Sequence, residues 1–72
     1  MSEHTVPGVG AWVVDTERDA IGEVMARGGA YVQLRAPGGG HEWDADPACL
    51  RAANRSEELL ARVIERNRRT RL

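Results

Sequence analysis

The chain changes its hydrophobic period once, and that change constrains its fold more than any other feature. Over residues 9–53 apolar residues alternate with polar ones in short runs punctuated by glycine and proline, whereas from Ser56 they recur at helical spacing. The strand-like runs 10–14, 20–25, 30–35 and 41–44 lie at about the 8–12-residue intervals of an all-β barrel or sandwich. The expected fold is mainly β. It divides into a flexible N-terminus over residues 1–8, a small barrel over 9–53, and a C-terminal amphipathic helix with an arginine-rich tail over 54–72.

Each run is bounded by a recognisable signal. Pro7-Gly8 brings the chain in as a turn, and the polar stretch 16–19 reads as a loop after Asp15. Gly22, inside the second run, suggests a bulge or sharp bend where a side chain would collide with its neighbours. Gly28-Gly29 fits a tight hairpin, and residues 36–40, rich in glycine, form the next turn. Asp46-Pro47 opens a single helical turn, with the carboxylate as cap and proline at the first helical position. Residues 50–52 then close the barrel as a last short strand, and the predicted core is Val13, Ile21, Val24, Val32, Leu34 and Leu50. Tyr31, Gln33 and Arg35 face outward.

The helix is expected to start at Ser56, whose hydroxyl caps it, with Glu57 and Glu58 at its positive end. Leu59, Leu60, Val63 and Ile64 form one apolar stripe, and Glu58 with Arg62 and Glu65 with Arg69 stand four residues apart. A stripe of this kind must be covered. It docks on the barrel or on another chain, because an isolated helix of this length is marginal in water.

With 72 residues, the chain forms one domain that buries only about 60% of the surface its unfolded form exposes. Little core remains for an enclosed active site. The single cysteine, Cys49, cannot pair internally, and the N-terminus has neither the basic nor the apolar region of a secretion signal, so a cytoplasmic protein is expected. Charge is split along the chain. Residues 1–50 carry eight acidic and three basic side chains, and residues 51–72 carry seven basic and three acidic ones, which sum to the overall −1.

The succession of glycine-introduced strand, acidic loop, hairpin, short strand, one-turn helix and last strand resembles the SH3-like small barrels of the Tudor and KOW groups. Within it, Val9-Gly10-Ala11-Trp12-Val13-Val14-Asp15, Ile21-Gly22-Glu23-Val24, Tyr31-Val32-Gln33-Leu34-Arg35 and Glu42-Trp43-Asp44 are similar to short uncharacterised actinobacterial proteins of the same layout. Exclusive use of arginine over lysine agrees with a high-GC bacterial source. The resemblance implies a fold and a lineage, and no activity.

Two surfaces are candidates for function. Trp12, Tyr31 and Trp43 are the aromatic residues, and SH3-like barrels place such residues in a shallow groove for a peptide or a methylated cation, which Asp15, Glu42 and Asp44 would favour. The same rings could instead fill the small core. The second surface is the helical stripe, of which Leu60 and Ile64 are the candidate partner-binding residues. The expected function is therefore a non-enzymatic interaction module, a regulatory adaptor that binds a protein partner or a second copy of itself through groove or stripe.

Arg66, Arg68, Arg69 and Arg71 support the alternative of a nucleic-acid-associated factor, although a pI near 6.1 lacks the basic footprint of such domains. No catalytic constellation is present, and Cys49 with His41 would form a nucleophile–base pair only if the fold joined them. His4, His41, Cys49, Asp44 and Asp46 lack metal-ligand spacing, and Gly38-Gly39-Gly40 is not followed by the residues of a phosphate loop. Neither metal nor cofactor is expected.

Overall fold

The computed structural model describes residues 8–70, with side chains as far as Arg68. Five antiparallel strands, β1 (Trp12–Asp15), β2 (Ala20–Gly28), β3 (Tyr31–Arg35), β4 (Glu42–Ala45) and β5 (Leu50–Ala52), precede one helix, α1 (Arg55–Thr70). β1 to β4 form a meander and β5 returns to pair with β1, so the sheet order is β4-β3-β2-β1-β5. A 3₁₀ turn over Pro47–Cys49 joins the two edge strands, capped by Asp46, whose Oδ1 accepts from the Ala48 amide at 2.9 Å.

The sheet closes on itself. Val13, Val24, Val32, Leu34, Trp43, Ala45 and Leu50, drawn from all five strands, are buried on one face, yet among the described residues no second layer covers that face. Only a sheet rolled around these side chains removes them from water. One cross-link supports this curl. Trp43 Nε1 on β4 donates to Asp15 Oδ2 on β1 at 2.9 Å, although two strands separate them in the sheet. Between the neighbouring strands β1 and β5, Thr16 extends the pairing one step past Asp15 and Leu50, donating both its amide (2.8 Å) and its hydroxyl (2.7 Å) to the Cys49 carbonyl.

Asp15 corrects the reading of a surface acid. It continues β1, lies on the same face as Val13, and is 2% exposed. Its Oδ1 accepts the Glu17 and Arg18 amides at 3.0 and 3.4 Å, so three N–H groups satisfy the buried carboxylate.

Five of the six predicted core residues are buried, and Ile21 is the exception. It pairs with Val14 across β1 and β2, whereas Gly22 pairs with Val13 and takes the core-facing position. A Cβ there would stand 3.1 Å from both Leu34 Cβ and Trp43 Cη2, so the glycine makes room for the indole. The bulge lies further along β2, where the register with β3 shifts between Val24 and Ala26.

The outer face of the sheet receives α1. The helix begins one residue earlier than expected, because Asn54 caps it: Asn54 Oδ1 accepts the Glu57 amide at 2.8 Å and Glu57 Oε1 accepts the Asn54 amide at 2.9 Å. This reciprocal pair is a capping box. Among the described residues no helix is long and apolar enough to cross a membrane.

Candidate functional site

The helix is fixed to the barrel by groups other than its apolar stripe. At its start Arg51 on β5 grips Glu57 with both guanidinium nitrogens, Nη1 to Oε1 at 2.9 Å and Nη2 to Oε2 at 2.8 Å. That fork, then the Asn54 amide, lowers the Glu57 carboxyl from 4.5 to about 2, and the same hydrogen bond raises the Arg51 guanidinium. In the middle Ala61, 1% exposed, lets the helix backbone approach the outer face of the sheet, where Val14 is buried. Further along, Glu65 Oε1 accepts the Gly38 amide at 2.8 Å and its Oε2 stands 3.9 Å from Arg35 Nη2. Arg35 also donates to Glu23 at 3.2 Å across the strands. Arg68 lies over Gly39, where a Cβ would come within 2.5 Å of its Cζ.

These contacts use the helix face that holds Glu57, Ala61, Glu65 and Arg68. At 100° per residue the centre of the apolar stripe is turned from that face by roughly a third of a revolution. The stripe is consequently left in water: Leu59, Leu60, Val63 and Ile64 are 53%, 62%, 50% and 41% exposed. Leu60 and Ile64 border a cavity of about 220 Å³ between α1 and the β1–β2 hairpin, walled by Val14, Ala20, Ile21 and Ala61, with Asp19, Arg51 and Glu57 also in its lining. The cavity is below the roughly 300–1,000 Å³ of small-molecule sites. It exceeds the roughly 150 Å³ that accommodates a benzene ring, so its size suits one inserted side chain.

The three aromatics do not assemble into a groove. Trp43 is 7% exposed in the core, covered by Arg18 with its Cζ 5.5 Å from the ring centroid and by His41 at 5.2 Å. Trp12 is half-buried in a cleft between sheet and helix, with Glu23, Arg35, Arg62, Glu65 and Arg66. Tyr31, 58% exposed, sits at the β2–β3 hairpin beside Arg27 and Pro47. Small cores consume large apolar side chains, and here the indole with the best-placed partner, Asp15, was drawn inside.

The arginine tail is divided as well. Arg66 lines the Trp12 cleft while Arg68 covers the glycine turn, on a different side of α1. The side chain of Arg69 and all of Arg71 lie outside the described residues, as does His4. His41 stacks on Trp43, whereas the Cys49 carbonyl serves Thr16 and its thiol is pushed up by desolvation and by Asp46, Glu17 and Asp15. No hydrogen bond joins them among the described residues, which also hold no cluster of three or more potential metal ligands.

Alanine at position 61, the Arg51–Glu57 fork and the Glu65 bond to Gly38 were not singled out from sequence. The capping box could have been, since Asn54 and Glu57 have the required spacing. No protein-family model, curated protein or solved structure matches the chain.

Proposed function

We propose that the chain is a small non-enzymatic interaction module whose working surface is the outer face of α1 with its adjoining cavity. One observation carries this reading: the helix is anchored by Arg51, Ala61 and Glu65, and its four large apolar residues remain 41–62% exposed. In a domain with so little core, apolar side chains of that size left in water signal a surface made for contact. The barrel then serves as a rigid mount. It holds the helix at both ends so that the stripe is presented without ordering cost on binding.

Magnitudes set the mode of binding. Covering the exposed half of four such side chains contributes about 3–6 kcal/mol, short of the roughly 8 kcal/mol of a micromolar complex. An anchor in the cavity and charged contacts at the border must supply the rest, which suits a reversible, regulatory contact. The test is photo-crosslinking in cells with a benzophenone side chain at Val63, beside the same probe at Tyr31 as a remote control. A discrete protein adduct at Val63 that disappears in the Leu60→Gln background is expected; equal adducts at both positions would defeat the proposal. Nucleic acid is the alternative reading, and its sign would be binding to mixed DNA and RNA that falls steeply with salt.

A further inference from the structure

We infer that α1 is a releasable strap on the outer face of the barrel, which opens as a unit ahead of the strands and bares Trp12, Val14 and Ile21. The inference concerns what lies beneath the helix and does not depend on the use of its outer stripe.

The barrel core takes nothing from the helix. Every buried residue of the core cluster comes from a strand, and the Trp43–Asp15 bond that closes the sheet lies within the barrel. Along α1, Ala61 alone is buried among the described side chains. The seam between helix and sheet is also incompletely filled. A cavity of about 220 Å³ opens on the side of the β1–β2 hairpin, and a cleft of about 580 Å³ opens beside Trp12. Side chains facing such space forgo the dispersion contacts of a packed interface.

Around Ala61 the latch is polar. The Arg51–Glu57 fork joins side chains that are 49% and 31% exposed, and water screens a pair in that position. Glu65 adds its bond to the Gly38 amide and its approach to Arg35, and Arg68 lies over Gly39 while remaining exposed. Once undocked, a helix of this length is marginal in water, so release and unwinding occur together as one low-energy opening. The docked form remains the populated one. Each opening uncovers Val14, 7% exposed beneath the helix, together with the half-buried Trp12 and Ile21 on the same face. The fork sets how often that face is offered.

The experiment is native-state amide exchange of the full chain, read residue by residue by NMR at low concentrations of urea. The amides of Leu59 to Glu65 are expected to share one opening, at least about tenfold more populated than that of the slowest strand amides and with a shallower urea dependence. Val32→Ala, which weakens the core, should speed exchange in the strands and leave the helix unchanged. Arg51→Ala should raise helix opening about threefold. Helix and strands that exchange through one common opening, both accelerated by Val32→Ala, would overturn the inference. Protection graded from the middle of α1 to its ends would also overturn it, as fraying in place. Helix opening unmoved by Arg51→Ala would overturn the fork as the latch.

Discussion

Replacing Asp15 with alanine should destabilise the barrel by about 2 kcal/mol. The carboxylate is 2% exposed and accepts from Trp43 Nε1 at 2.9 Å across the closure of the sheet. Removing it leaves a buried indole N–H without a partner, and losing a hydrogen bond to a charged acceptor costs about 1.5–3 kcal/mol. The Glu17 and Arg18 amides, in an exposed loop, turn to water and add little. Against a total stability of about 4–11 kcal/mol for a chain of this length, the loss is large. It corresponds to a fall in Tm of about 8–16 °C. Urea unfolding followed by far-UV circular dichroism measures it, and a double-mutant cycle with Trp43→Phe isolates the pair. A coupling of at least about 1 kcal/mol is expected. A change within about 0.5 kcal/mol for Asp15→Ala, the range of an ordinary surface substitution, would refute the buried assignment and restore Asp15 to the surface.

Gly22→Ala should cost about 1–3 kcal/mol by overpacking, since its Cβ would stand 3.1 Å from Leu34 and Trp43; thermal unfolding reads it. Glu57 is ionised more easily in the folded chain than in the unfolded one, with its carboxyl lowered from 4.5 to about 2. The Arg51–Glu57 fork therefore contributes stability above about pH 4.5 that is lost as pH falls towards 2, and an acid titration of Arg51→Ala should lack that component. Ala61→Leu, at a position 1% exposed, should lift α1 from the sheet and raise amide exchange along the helix while the strands keep their protection.

The strands were legible because alternation and glycine turns carry their own register. Where the sequence misled, a particular geometry explains it. Ile21 and Val24 are three residues apart, so a regular strand cannot turn both inward; the bulge that could have reconciled them lies beyond Val24, and Ile21 faces the helix. Asp15 ends an apolar run and reads as solvent-exposed, since its donor Trp43 is 28 residues away. The apolar stripe was plain, yet the surface by which α1 docks was not. Its centre is an alanine, which adds little to hydrophobic periodicity, and its ends are a salt bridge to Arg51 on β5 and a carboxylate–amide bond to Gly38 in a turn 27 residues away.

The most direct measurement of whether the stripe belongs to the fold or to a partner is the urea midpoint of the Leu60→Gln, Val63→Gln variant beside the wild type. These side chains are 62% and 50% exposed, while the anchors of α1 stay in place. The predicted result is a stability within about 1 kcal/mol of the wild type, with the slope of the transition unchanged. A loss of about 3 kcal/mol or more would contradict it, because the stripe would then be holding the helix to its own barrel.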